Sequence, residues 1–429
     1  MIALSVNPDR LAACFDTLAT FTFIYPLGMS FVWMAGAMMF YLRHEHRDRR
    51  GGAPALDRYP AVSIIVPCFN EEKNVDDVIE SLMRIDYPDY EVLAINDGST
   101  DRTAMLLERL AARFPRLRVV HQGSNQGKAV GLETACFAAR GEIIVGIDGD
   151  AVLDPQSLRW LVRHFDADPR LGAVTGNPRI RTRSTLLGRL QVAEFSSMVG
   201  LIKRAQQALF GRLFTVSGVI AAFRASALRD IGYWSHDMLT EDIDVSWKLQ
   251  TRGWRLRFEP NALVWILMPE TLSGLWRQRL RWATGGVQVV HKFRWLLRDG
   301  RQWRMWPIYL ECLASLVWAH AMMLLLLVGA LGLVLPLPPE MTQASLLPGW
   351  TGVGIASTCM MQFTLSVWMD SRYDFQLPRY LWSAIWYPVV FWMIGMATSV
   401  AAGPKFLLRR RGQRAVWASP DRGLQQEQS

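Results

Sequence analysis

The 429-residue sequence has no Cys-x-x-Cys pair and no His-Glu-x-x-His. Its five cysteines, Cys14, Cys68, Cys136, Cys312 and Cys359, lie far apart, so neither a zinc site nor a disulfide framework is indicated. Charge is scarce: 20% of residues are charged against 51% hydrophobic, below the roughly one quarter charged of ordinary soluble domains. The scarcity is local. Residues 17–42, 312–339, 341–369 and 380–404 contain no Asp, Glu, Lys or Arg, and each run exceeds the roughly 20 apolar residues that a membrane-crossing helix needs. A single soluble domain, a disordered chain and a fibrous protein are therefore excluded.

Between the first and second runs lies a charged stretch long enough for one globular domain. The net charge of +9 and pI near 9.5 gather beside the apolar runs, at Arg43, Arg47, Arg49 and Arg50, over 277–304 and over 405–414. Basic residues there orient spans and meet anionic lipid, which favours a membrane over nucleic acid as partner. The first run reads as a retained anchor, because basic residues follow it and no small-residue cleavage site interrupts it. By the positive-inside rule the domain after it is cytoplasmic and the N-terminus external. Three further spans would leave the basic tail with Lys405, Arg409 and Arg414 outside, against the same rule. Either the last segment, interrupted by Pro388, is re-entrant, or a helix before Cys312 enters the membrane and changes the parity.

Within the charged stretch, short apolar runs alternate with helical periodicity. Strands are predicted at 61–66, 91–96, 117–121 and 142–147, and helices follow them, the first with Val75, Val78, Ile79, Leu82 and Met83 on one face. The later helices fall at 102–114, 128–139 and 155–165. This alternation predicts an α/β domain with a mostly parallel sheet covered on both faces. Such sheets bind ligands beyond the carboxyl ends of their strands. The residues there are polar: Asn70 and Glu71 after the first strand, Asp97 to Asp101 after the second, and Asp148-Gly149-Asp150 after the fourth.

Asp101 reads as a helix cap, whereas Asp97, directly after an apolar strand, could accept hydrogen bonds from a base or ribose. Asp148 and Asp150 share a face of an extended chain and repel each other unless a cation, Mg²⁺ or Mn²⁺, joins them with diphosphate oxygens. No Gly-x-Gly-x-x-Gly follows the first strand, and the 123–129 stretch is one residue short of a P-loop and lacks its Ser/Thr. Lys128 can still meet phosphate near a helix start. Downstream, Thr240-Glu241-Asp242-Ile243-Asp244 opens a helix, where acidic residues also suit the macrodipole. Gln278-Arg279-Leu280-Arg281-Trp282 lies in a Trp- and Arg-rich stretch, 272–306, that reads as amphipathic helix in the membrane interface.

Taken in order, Asp97, Asp148-Gly149-Asp150, Thr240-Glu241-Asp242 and Gln278-Arg279-Leu280-Arg281-Trp282 resemble the D, DxD, TED, QxxRW series of processive family 2 glycosyltransferases. Stretches 63–72, 176–184 and 240–250 are similar to bacterial members of that family that make β-1,6-linked N-acetylglucosamine polymers. The resemblance implies a GT-A nucleotide-diphospho-sugar transferase domain, inverting transfer from UDP-N-acetylglucosamine with Mg²⁺ or Mn²⁺, and extrusion of the growing polysaccharide for a biofilm matrix. It makes Asp242 the base, with Glu241 beside it. Asp97, Glu71, Lys128, Asp148, Gln278, Arg281 and Trp282 become substrate-binding residues, and Asp150 and Asp148 hold the metal. It also implies a small membrane partner subunit, cyclic di-GMP regulation and a place in the bacterial inner membrane. The expected layout is a span at 17–42, a cytoplasmic transferase domain at 59–270 and interfacial helices at 271–306. Spans at 311–336 and 350–369, a span or re-entrant segment at 380–404, and a basic tail at 405–429 follow. Hyaluronan, chitin or cellulose synthesis and a non-catalytic receptor with this fold are the alternatives; the receptor predicts loss of a catalytic carboxylate, and all are present.

Overall fold

A computed structural model describes residues 8–46, 52–337, 350–410 and 412–416. Arg47, Arg49, Arg50 and Arg411 of the basic clusters lie outside the described residues, as does the tail beyond 416. Helix α1 (Pro8–Phe40) leads into a π-helical turn, Tyr41–Glu45. The predicted strands are β1 (Val62–Cys68), β2 (Tyr90–Asp97), β3 (Leu117–Gln122) and β4 (Ile143–Ile147). Between and after them come α2 (Val75–Met83), α3 (Thr103–Arg113) and α4 (Lys128–Ala138), then β5 (Val152–Leu153) and α5 (Ser157–Ala167). β1 and β4 are buried along their whole length, as strands with helices on both faces must be.

The remaining strands, β6 (Leu171–Ile180), β7 (Ile220–Arg224) and β8 (Arg255–Ile266), enclose α6 (Leu186–Glu194), α7 (Ile202–Phe210), α8 (Ala225–Asp230) and α9 (Glu241–Thr251). The eight-stranded sheet runs β3-β2-β1-β4-β7-β6-β8-β5. β3, β2, β1 and β4 are parallel, β7 is antiparallel to both its neighbours, and β6 and β8 are again parallel. The chain runs from β1 outward to β2 and β3, then crosses back to place β4 on the other side of β1. A crevice therefore opens at the carboxyl ends of β1 and β4, the position where such sheets bind ligands. Glu71 and Asp148 to Asp150 stand there.

α10 (Leu272–Lys292) continues through 3₁₀ turns, Arg294–Arg298 and Gly300–Met305, into α11 (Trp306–Gly332). The helical stretches Asp9–Glu45, Gly300–Gly332 and Pro388–Leu408 are long and apolar enough to cross a membrane. Residues 350–369 also form a helix, α12 (Trp350–Asp370), but it buries Thr358, Gln362, Ser366 and Asp370 against the protein and is correspondingly less apolar. The 380–404 run is broken into a 3₁₀ helix (Leu377–Trp386), a π turn (Pro388–Trp392) and α13 (Met393–Leu408); Pro388 lacks the N–H that a continuous helix needs there.

Helical membrane segments and transferase domain are joined by buried charge. Arg204 of α7, fully buried, pairs with Glu45 at 2.5 Å and with Asp370 at 2.8 Å, and Arg179 of β6 reaches Asp370 at 2.9 Å. Four groups taken from water are stable only as a mutually paired set. Beyond α12, Asp374 pairs with Arg183 at 2.5 Å, and beyond α13 Arg409 donates to the Asp237 carbonyl at 3.2 Å. The Ala415 N–H donates to the His236 carbonyl at 2.9 Å. The segment between Asp374 and Arg409 thus begins and ends on the transferase domain.

Candidate active site

Glycine shapes the crevice at two places. A Cβ on Gly149 would stand 3.0 Å from the Pro67 carbonyl oxygen and 3.2 Å from Glu71 Cγ, so glycine lets the Asp148–Asp150 turn lie against the end of β1 without displacing either. Gly127, with φ +94°, turns the chain into α4 and aims Lys128 across the site. Lys128 Nζ lies 2.5 Å from Asp148 Oδ1 and 3.0 Å from Glu241 Oε1, and donates to the Gly218 carbonyl at 3.2 Å. Burial works against the Lys128 charge, but Asp148 and Glu241 hold its pKa above the usual lysine value.

Glu241 and Asp242 open α9, and their environments push them apart. Burial raises the Glu241 carboxyl, but Lys128 and Arg281 more than offset it and bring it below the ordinary value. Burial, then the neighbouring Glu241 charge, lifts Asp242 to about 6. Of Asp148, Glu241 and Asp242, only Asp242 is not ion-paired with Lys128. It accepts instead from the N–H of Ile243 at 2.9 Å and of Gly218 at 3.2 Å. Two carboxylates tuned in opposite directions are the pattern of an assigned base beside a structural or binding acid.

Asp150 is buried, and its carboxyl is lifted to about 7 by burial and then by Asp148. A bound cation would reverse that shift. Among the described residues no three His, Cys, Asp or Glu side chains form a metal cage, so these carboxylates fit a cation completed by diphosphate oxygens and not one held by protein alone. Glu71 is fully buried, with Oε2 accepting from Asn74 Nδ2 at 2.9 Å. Asp97 is fully buried, and its oxygens accept from the N–H groups of Gln126 at 2.7 Å and Gly127 at 2.9 Å. Its first effect is therefore to fix the loop that presents Lys128.

On α10, exposed Arg281 donates to the Leu239 carbonyl at 3.3 Å and lowers both Glu241 and Asp242. Gln278 is half-buried, its Oε1 enclosed and without a hydrogen-bond partner among the described residues. Trp282 is half-buried against the main core, with the Arg279 guanidinium 4.7 Å from its ring centre. The structure thus joins Lys128, Asp148, Glu241, Asp242 and Arg281 through contacts and charge, sets Asp150 and Glu71 beside them, and leaves Gln278 and Trp282 farther along α10. α10 approaches α9 closely because residue 285 is glycine: a Cβ there would lie 2.3 Å from Thr240 Oγ1.

Strand ends, paired acids and a Trp-bearing helix are the parts expected of a sugar-nucleotide transferase, and the glycosyltransferase-like family 2 model matches residues 60–285. The chain belongs to that family. This glycosyltransferase is 37% identical over 405 residues to the poly-β-1,6-N-acetyl-D-glucosamine synthase of Staphylococcus aureus strain COL, covering 94% of this chain and 98% of that protein. It is 35% identical, with the same coverage, to the synthase of that name from Staphylococcus epidermidis strain ATCC 35984. It shares its fold with a mannosyltransferase from Pyrobaculum calidifontis, solved with GDP-mannose and Mn²⁺, at TM-score 0.56 and 22% identity over 91% of this chain and 99% of that one.

Site residues that the motifs do not announce also emerge in this glycosyltransferase. Gly218 supplies both an N–H to Asp242 and a carbonyl to Lys128. Lys203, buried on α7, donates to Ser217 Oγ at 2.6 Å and Thr175 Oγ1 at 3.2 Å, and burial lowers its amine to about 7. The available signal was a Lys203-Arg204 pair inside a stretch with few other charges.

Proposed function

We propose that the chain polymerises N-acetylglucosamine from UDP-N-acetylglucosamine into β-1,6-linked poly-N-acetylglucosamine, by an inverting and processive transfer. The observation that carries this reading is likeness across 94% of the chain to synthases of that polymer, which takes in the membrane helices and α10 as well as the transferase domain. The site chemistry agrees. In a single displacement the acceptor hydroxyl attacks the anomeric carbon, the bond from that carbon to the UDP oxygen breaks, and the hydroxyl proton passes to Asp242. A base lifted toward neutrality is still ionised at pH 7 and takes the proton more readily. Lys128 and Arg281 supply positive charge for the diphosphate, and Asp97 fixes the loop beneath the nucleotide. Mg²⁺ or Mn²⁺ at Asp150 and Asp148 would add electrostatic stabilisation of the leaving group. Gln278 and Trp282 receive the acceptor, the indole offering a broad face to a pyranose ring.

The same reading places the protein in a bacterial inner membrane as a multi-pass protein with its transferase domain cytoplasmic, extruding polymer for a biofilm matrix. With α1 and α11 crossing, α12 returning, and the segment from Leu377 to Leu408 re-entrant or interfacial, the basic tail lies on the cytoplasmic side. That arrangement satisfies the positive-inside rule. A small membrane subunit and cyclic di-GMP belong to this reading as partners, to be tested by co-purification. The deciding experiment incubates membranes containing the protein with labelled UDP-sugars and digests the product with linkage-specific hydrolases. Incorporation from UDP-N-acetylglucosamine into polymer cut by a β-1,6-specific hexosaminidase and resistant to chitinase is expected; chitinase-sensitive product would refute the linkage.

A further inference from the structure

Arg279 occupies a position of the Gln278–Trp282 motif for which the transfer chemistry has no use, yet both terminal nitrogens of its guanidinium are engaged. Its Nη1 and Nη2 donate to Glu194 Oε1 at 2.8 Å and Oε2 at 2.6 Å, a two-pronged pair that fixes the guanidinium plane. Both partners are shielded, with 15% of the Arg279 and 4% of the Glu194 side chain exposed. The guanidinium stands 4.7 Å from the Trp282 ring centre and 5.4 Å from that of Phe391 in the π turn after Pro388. Arg279 and Trp282 are three apart on one helix and therefore neighbours on its surface.

We infer that Glu194 and Arg279 are positioning residues that set the orientation of the Trp282 indole, and through it the affinity for the carbohydrate acceptor. An indole on an interfacial helix has two rotatable bonds and, without a partner, several orientations. A cation held rigidly over one face restricts it, and the ring remains partly exposed for contact with a pyranose. Burying an ion pair is a weak route to stability, since apolar residues of similar volume serve as well or better, so the pair's geometry is better explained by what it orients. The contact with Phe391 ties the same indole to the membrane-facing segment through which the chain returns to the transferase domain. This inference rests on the acceptor role proposed above for Trp282.

The test uses the full-length protein in detergent or nanodiscs, with whichever UDP-sugar the wild type turns over and a short oligosaccharide of that sugar as acceptor. Arg279→Lys keeps the charge but loses the fork and the flat stack. Glu194→Leu/Arg279→Met removes both charges together, so that folding does not suffer from a lone buried charge. Both should raise the half-saturating acceptor concentration by roughly tenfold while UDP affinity stays within about twofold. In a Trp282→Ala background, Arg279→Lys should add nothing further, because coupled residues are not additive in a double-mutant cycle. Independent losses in the cycle, unchanged acceptor saturation, or donor affinity falling in step would each overturn the inference. A wild type that ignores UDP-N-acetylglucosamine but uses another UDP-sugar refutes the proposed polymer and leaves this test intact.

Discussion

Asp242→Asn removes the atom proposed to take the proton and, in the same step, a largely desolvated charge. Loss of a positioned general base lowers the rate by ~10²–10⁴-fold, so polymer synthesis should fall at least ~10²-fold while UDP affinity in the presence of metal is retained. Stability should move the other way. The folded pKa of about 6 exceeds the ordinary carboxylate value, so the unfolded chain ionises first. Stability is then greatest below about pH 4, declines between about pH 4 and 6 and stays lowered above that range. A carboxyl raised from about 4 in the unfolded chain to about 6 in the folded one costs the fold at most roughly 3 kcal/mol at neutral pH. Asn keeps an acceptor for the Ile243 N–H but turns an amide toward that of Gly218, forfeiting about 1 kcal/mol. The expected balance is a variant more stable than wild type by about 1–2 kcal/mol. The assay pairs labelled-sugar incorporation with thermal unfolding in the same detergent. Wild-type synthesis should also fall about tenfold per pH unit below about 6. Retained synthesis in Asp242→Asn would remove it as the base, and a less stable variant that also loses UDP affinity would make the residue structural.

Asp244, fully buried and 2.5 Å from Lys292, predicts the opposite phenotype. Asp244→Asn should lower the unfolding temperature and leave the rate per folded molecule nearly intact, and Lys292→Met in the same chain should restore part of the stability. Chelation with excess EDTA should abolish incorporation, and Asp150→Ala should weaken UDP binding only when Mg²⁺ or Mn²⁺ is present, as read by calorimetry. Gly285→Ala sets a methyl group against Thr240; overpacking of this kind should destabilise by ~1–3 kcal/mol and reduce synthesis by displacing the start of α9.

The first half of the sheet was legible because β1 to β4 are apolar runs and their helices keep a clean periodicity. The second half was not. β6 carries Thr175, Asn177 and Arg179 along a wholly buried strand, which local pattern reads as polar loop. Those groups are tolerated only through distant partners: Asn177 donates to the Pro260 carbonyl at 2.9 Å and Arg179 meets Asp370. The acidic motifs could be located from strand ends, but not what each touches. The sharing of Lys128 between Asp148 and Glu241, the placement of Asp97 under a loop and the burial of Asp244 depend on elements far apart in sequence. Hydropathy is likewise blind to a segment that leaves the transferase domain after Asp374 and meets it again at Arg409, because it counts apolar residues only.

A short path of contacts runs from the helical membrane segments to the proposed base. Arg204 locks α7 to the ends of α1 and α12 through Glu45 and Asp370. The preceding residue, Lys203, holds Ser217, and the residue after Ser217 donates its N–H to Asp242. α7 is a single rigid helix, so any shift of the α1 and α12 ends large enough to strain the Arg204 pairs also moves Lys203. Loss of the hydrogen bond to Ser217 would leave the buried amine with Thr175 Oγ1, at 3.2 Å, in place of two acceptors, a loss of about 1 kcal/mol. The loop carrying Gly218 is tied to such a shift through Ser217. The proposed base thus lies a short run of contacts from the ends of α1 and α12, through Arg204, Lys203, Ser217 and Gly218.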